Sequence, residues 1–366
     1  MQLSDCASVV LYLAVFLSAA VFAYLGKKKN LKFCYVLAVL LPALLAGFRY
    51  SSGTDSLTYR SMYEQIGTES AEMTAWRVNE GGLEPFAVYT SALGNLLQLP
   101  PSFLFIIFGI ITAAFLLMTT HKFSRNRAWL FYGMLLLIVF PESLNMMRQL
   151  AANSIQAFAL AYIFKSQRYN IRPRITPILL LLAFSISIHY SSVLLLPVFL
   201  LPIITKHVRG RTLTMLLGLF IAGCVLAFPA LLDFVINMGI LSERHYETFM
   251  AMPGSLINVK FFAAAVLGLI MLANYHRREI RFDKQFSLLL LLGMAYSAVG
   301  FYSGYLGRLA TFFWIFIVMI GGELLCQLFK KDHHRILICS AVAILYFVLY
   351  FCVLGMNEIM PYSFAV

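Results

Sequence analysis

The chain has 366 residues, of which 61% are hydrophobic and 12% charged, with a formal net charge of +12. A soluble protein of this length could not hide so much apolar surface, and apolar runs long enough to cross a bilayer recur along it. Those runs are continuous rather than alternating, which excludes an outer-membrane barrel. The basic excess falls in the short loops between runs, so it reads as membrane topology and not as nucleic-acid binding.

The expected fold class is an all-α polytopic membrane protein with about twelve transmembrane segments, forming a single integral membrane domain over residues 1–366. The first apolar run, Ser8 to Leu25, is followed by Lys27, Lys28, Lys29 and Lys32. Basic residues after the run instead of before it argue against a cleaved signal peptide and place the N-terminus outside. Segment two, Phe33 to Gly47, returns to the outer face. The stretch from Arg49 to Pro101 is the longest polar one and is expected as an outer loop, with a short amphipathic helix near residues 84–97 lying along the interface. On that helix Tyr89, Ser91 and Asn95 lie on the side away from the apolar positions.

Segment three runs from Phe103 to Thr120, segment four from Trp129 to Phe140 and segment five from Asn145 to Phe164. Segments six and seven share Pro177 to Ile204, broken at Ser187 to Ser192; both flanks are basic, so two short helices meeting outside are expected. Segment eight covers Leu213 to Ala230 and segment nine Val259 to Tyr275. The last three are Phe286 to Tyr302, Leu306 to Phe329 and Ile336 to Gly355, and the tail from Met356 ends outside. The inner loops are all basic and both termini are expected outside. The cysteines show no CxxC spacing, and all but Cys6 lie in apolar runs, as small core residues do.

Topology makes the outer basic residues informative, because ionisable groups at membrane depth are costly unless paired or facing a wet cavity. Lys260 reads as a snorkelling residue. Arg49, Arg148, His189 and Arg308 come from different segments but the same face, together with Asp55 and Glu84. Three guanidinium groups at one depth suit an anion such as a lipid phosphate or pyrophosphate, whose oxygens they match bidentately. Plainer roles stand beside this: Asp55 could pair with Arg49, Glu142 with Arg148, and Glu84 could serve a helix N-terminus. No Asp-x-Asp or Glu-x-Asp spacing occurs, so no metal and no other cofactor is expected.

Taken in order, several short pieces resemble the EpsG family of polysaccharide polymerases, which is similar in role to the Wzy-type O-antigen and capsule polymerases. They are Phe48-Arg49-x-x-x-Gly53-x-Asp55-x-x-x-Tyr59, Glu84-Pro85-Phe86, Asn145-x-x-Arg148-Gln149-x-x-Ala152, Ile188-His189-Tyr190-Ser191, Arg308 and the Pro361-Tyr362 ending. The resemblance implies a glycosyltransferase of the bacterial cell (inner) membrane, with a fold similar to the GT-C enzymes. It implies a glycan on undecaprenyl pyrophosphate as donor, and a second lipid-linked repeat unit as acceptor. Membrane lipid and a chain-length regulator protein would be further partners.

In that reading Arg49, Arg148 and Arg308 hold pyrophosphate, and Asp55, or else Glu84 or His189, is the catalytic base. Tyr59, Asn145 and Gln149 line the substrate site. An O-antigen ligase reaction and a lipid-linked sugar flippase are the alternatives. A flippase would need polar groups through the bilayer middle.

Overall fold

A computed structural model describes residues 2–80, 82–124, 126–203, 258–275, 284–302, 307–329 and 331–365. Every regular element among them is helical. The chain divides into two compact units, Met1–Leu196 with Leu328–Val366, and Pro197–Gln327.

In the first unit, α1 (Asp5–Lys29) and α2 (Lys32–Gly47) form an antiparallel pair. The stretch expected as a loop contains three helices, α3 (Ser56–Thr68), α4 (Ala71–Asn79) and α5 (Pro85–Leu96). Then come α6 (Ser102–Phe123), α7 (Ala128–Ile138), a 3-10 turn at Phe140–Leu144, α8 (Met147–Arg168) and α9 (Ile175–Ile188). A second 3-10 stretch, Tyr190–Leu200, follows the break at His189, where the sequence places it. The second unit holds α10 (Val259–Tyr275), α11 (Lys284–Val299) and α12 (Ala310–Leu328). The chain closes in the first unit with α13 (Asp332–Tyr346), which continues as a wider-wound turn, Phe347–Val353.

Each expected segment within the described residues thus carries a helix; segment eight lies outside them. Among the described residues, four helices are long and apolar enough to cross a membrane: α1, α6, α12, and α13 with its continuation. Helices α2, α7, α9, α10 and α11 are apolar but shorter. In the second unit, Lys260, expected to snorkel, instead donates to the Thr311 hydroxyl (3.0 Å).

The first unit is built around α6 and α8, which pack along each other, with α2 on α6, α9 on α8, and α1 and α13 on α7. Close approach needs small residues. A Cβ on Gly109 would lie 2.9 Å from the Ala43 Cα, and one on Gly47 2.1 Å from Ile106. The short α3 and α5 pack together, and the polar side of α5 faces this contact. Ser91 and Gly94 are buried, and the Asn95 amide donates to the Tyr63 carbonyl (2.8 Å). Small Ser91 and Gly94 let α3 come close, while Leu93, Leu96 and Leu97 point outward.

The two ends of this unit differ in chemistry. At one end the basic α1–α2 connection meets the α6–α7 connection, where Lys27 donates to the Asn126 carbonyl (2.9 Å). At the other, the C-terminal tail is threaded between the start of α1 and residues 48–53. Leu3 donates to the Tyr362 carbonyl (2.9 Å), Tyr50 to that of Ser363 (2.7 Å), and Ala365 to that of Phe48 (2.7 Å). The buried Tyr362 hydroxyl closes the clamp on the Leu45 carbonyl (2.7 Å).

Gly53 sits at this polar end with φ of +94°, and its N–H donates to the Glu358 carbonyl (2.9 Å). A Cβ there would lie 2.1 Å from the Leu144 carbonyl oxygen. Conformation and space therefore both require glycine. Gly53→Ala is expected to cost at least about 2 kcal/mol, seen as a lower melting temperature of the purified protein in detergent. An unchanged melting temperature would contradict this placement.

Candidate active site

The polar end of the first unit rests on an apolar floor. Tyr59 and Tyr63 of α3, Ala87 of α5, Leu104, Phe105 and Phe108 of α6, Met147, Ala151 and Ile155 of α8, and Ile188 of α9 form one buried cluster. Four of the candidate polar residues are among these, or lie within a helical turn of one. Tyr59 is in the floor itself, Glu84 precedes Ala87, Arg148 follows Met147, and His189 follows Ile188. Burial of the floor therefore sets the polar groups beside one another.

Glu84 is placed by Pro85. A proline at the first helical position starts α5 and holds the preceding residue extended, and Glu84 has φ −68° and ψ 131°. Its carboxylate faces the ends of two other helices. Arg148, the second residue of α8, donates from Nη1 to Oε2. His189, the extended residue that ends α9, meets Oε1 through Nδ1 at 2.7 Å. The Glu84 side chain is 8% exposed, whereas Arg148 and His189 are 22% and 23% exposed. The two side chains thus shield the carboxylate while each stays partly exposed.

Arg148 also lies over the Tyr59 ring (5.1 Å to the centroid), with Nε 3.4 Å from the Tyr59 hydroxyl. A cation in the first turn of a helix works against the helix dipole. Its place there is explained by its partners and not by helix stability. Tyr190 adds a tie across the break, its hydroxyl donating to the Leu83 carbonyl (3.4 Å).

Burial pushes the Glu84 carboxyl up, but the His189 hydrogen bond and the Arg148 charge outweigh it and hold the group below its ordinary 4.5. Glu84 is therefore an anion at neutral pH and a weak base. An ionised carboxylate only accepts, so His189 donates to it from Nδ1, and in a neutral imidazole so oriented Nε2 is the acceptor.

The other sequence candidates divide. Asn145 accepts from the Thr54 hydroxyl and donates to Oδ1 of Asn357 (3.3 Å), tying the Gly53–Asp55 stretch and the tail to the start of α8. Asp55 precedes α3, half-buried, and accepts from Thr54 (3.4 Å). It makes no ion pair with Arg49. Gln149 is buried in the first turn of α8. Arg308 belongs to the second unit, where its carbonyl accepts from the Thr311 N–H (3.0 Å). Glu142 is buried, and Arg148 is paired with Glu84.

Arg49 does not stand beside Arg148. It is 1% exposed, with its guanidinium 4.6 Å from the centroid of Phe105 and Phe364 of the tail paired to its backbone. Its Nε and Nη2 have no hydrogen-bond partner among the described residues. Burial pulls its pKa down to about 10, with the Tyr12, Tyr362 and Tyr59 hydroxyls acting the other way. It is charged at neutral pH and enclosed, so the expected role in holding pyrophosphate has no open face here. Arg60, which the sequence reading did not single out for the site, lies on the same Phe105 ring (5.3 Å) and donates to the Arg49 carbonyl.

Compared with known proteins, residues 32–364 match the EpsG family. The chain belongs to the EpsG family. Family membership supports a role as a polysaccharide polymerase, with glycosyltransferase-like activity in a membrane setting. No curated protein and no solved structure matches the chain. In this EpsG-family protein four of the short pieces of resemblance meet within hydrogen-bond distance, through Tyr59, Glu84, Arg148 and His189.

The depressed Glu84 pKa has a defined sign. Its contribution to stability is present above the unfolded value near 4.5 and is lost as pH falls through the lower folded value. The melting temperature in detergent is expected to fall as pH drops below about 4.5. Glu84→Gln should flatten that limb relative to wild type, which separates Glu84 from other acids such as Glu69. Superimposable wild-type and variant limbs would contradict the assignment.

Proposed function

We propose that this protein lengthens a polysaccharide by transferring a glycan from a polyprenyl-diphosphate carrier to the terminal sugar hydroxyl of a second lipid-linked repeat unit. The observation that carries the reading is the single cluster of Arg148, Glu84, His189 and Tyr59, at the end of the unit away from the basic loops. By the positive-inside rule that end faces out of the cell, where finished lipid-linked units are available. The apolar helices suit a long lipid tail.

The residues present divide the work. His189, with Nδ1 on Glu84, takes the acceptor hydroxyl proton on Nε2. The hydroxyl oxygen bonds to the anomeric carbon as the bond from that carbon to the carrier's phosphate oxygen breaks. The electron pair leaves with the diphosphate, whose charge Arg148 meets. Glu84 orients His189 and faces the imidazolium that forms. Asp55 is the second candidate for the base, since it opens α3 near Tyr59. Arg308 joins the proposal as a phosphate-binding cation on its sequence context alone.

Arg148→Ala and His189→Ala, each with protein present in membranes at wild-type levels, are expected to abolish long glycan chains. The expected loss in rate is roughly a hundredfold or more, read as chain-length distribution on a gel. Normal chain lengths in either variant would remove that residue from the reaction. Asp55→Asn, measured alongside, assigns the base: loss equal to that of His189→Ala would move the role to Asp55. Purified protein given a lipid-linked repeat unit should yield a ladder of products. A single product on another acceptor would mean a ligase instead, and no product with movement between leaflets a transporter.

A further inference from the structure

We propose that Glu84 is a place-holder for the donor's diphosphate: it occupies Arg148 in the resting site, and when the diphosphate binds it gives up Arg148 and keeps His189 alone. The inference rests on the glycosyl-transfer reading above and deepens it.

The geometry allows such an exchange. The two oxygens of Glu84 serve different partners, Oε2 for Arg148 and Oε1 for His189, so one contact can break while the other persists. Arg148 is also held independently of Glu84, by the Tyr59 ring beneath its guanidinium and the hydroxyl near its Nε. Losing the carboxylate would leave it aimed at the same place. Glu84 is the most enclosed member, anchored at the start of α5, while Arg148 stays partly exposed, so an incoming anion can approach it.

Chemistry favours the exchange as well. A guanidinium has five donors and pairs bidentately with phosphate oxygens, and a diphosphate carries more charge than a carboxylate.

The exchange couples donor binding to proton acceptance. With Arg148 occupied by diphosphate, the Glu84 charge is left to face His189 when the acceptor's proton arrives on Nε2. The transfer step is the one balanced above: the proton goes to Nε2, the hydroxyl oxygen to the anomeric carbon, and the electron pair of the broken bond to the diphosphate. Without donor, Glu84 is shared, and His189 is a less effective base toward water. The pairing therefore ties the strength of the base to the presence of the donor.

The test titrates full-length protein in detergent with methylenediphosphonate, a diphosphate mimic with no cleavable P–O–P bond, by isothermal calorimetry. Wild type is compared with Glu84→Gln, Glu84→Ala and Arg148→Ala, each checked by thermal melting. If a Glu84 variant fails to fold, Glu84→Asp, whose shorter side chain holds Arg148 less well, replaces it. Removing the competing carboxylate is expected to tighten binding about tenfold, and Arg148→Ala to lose it. With lipid-linked donor, Glu84→Gln should lower KM and kcat together, a split that a merely structural ion pair would not give. Equal or weaker binding by the Glu84 variants, with binding still lost in Arg148→Ala, overturns the exchange and leaves Arg148 as the phosphate ligand. Unchanged binding in Arg148→Ala overturns the phosphate reading itself, and the exchange with it.

Discussion

One enclosed carboxylate organises the polar end of this protein. Glu84 is only 8% exposed, and a charge so enclosed is unfavourable unless paired and hydrogen-bonded. Its two oxygens draw in Arg148 from α8 and His189 from the break in α9. Those two side chains are poorly placed without it, one a cation at a helix N-terminus and the other an imidazole at an unwound helix end. The three groups therefore account for one another: the carboxylate orients the imidazole through Nδ1 and shares the guanidinium with the Tyr59 ring.

Beneath this triad the apolar floor supplies the registration. Helix α3 contributes Tyr59 and Tyr63, α6 contributes Phe105 and Phe108, and α8 contributes Met147 and Ala151. Those residues would be buried in any helical bundle; what matters is that their neighbours in sequence are the polar groups. The tail adds a cover from the other side, through Tyr362, Ser363 and Asn357. The active end is thus closed by segments 212 to 317 positions apart in sequence, which makes its assembly dependent on the whole first unit.

Much of this was legible from residues alone, for identifiable reasons. Long apolar runs leave little choice but helices, and the break at His189 was marked by polar residues between two runs with basic flanks. The pieces around Asp55, Glu84, Arg148 and His189 were visible as polar groups at helix ends. What sequence could not show was pairing. Asp55 was near enough in sequence to be Arg49's partner, yet Arg148 pairs with Glu84 across 64 positions. Helices α3 and α4 were read as loop because they are polar on average. The spacing of Tyr59, Tyr63 and Ile66, all buried on one face of α3, was the signal that could have found the first of them. Likewise Ser91 and Asn95 looked like a solvent face, but small and amide side chains are also what a close helix contact needs.

Arg49 shows how a correct emphasis can attach to a different role. The sequence singles it out as a cation at the end of an apolar run, and the structure buries it against Phe105. The Phe105 ring has Arg49 and Arg60 over it and the edge of Tyr59 against it at 6.4 Å. Tyr59 in turn carries Arg148. Cation–ring contacts of this kind are each worth roughly 0.5–2 kcal/mol, more when water is excluded. Arg49 keeps its charge despite complete burial, so it adds a fixed positive potential near Tyr59. Two cations near one tyrosine raise the local affinity for anions without either guanidinium having to move. Arg49 and Arg148 are thus joined through the Phe105 and Tyr59 rings, Arg49 enclosed and Arg148 partly exposed.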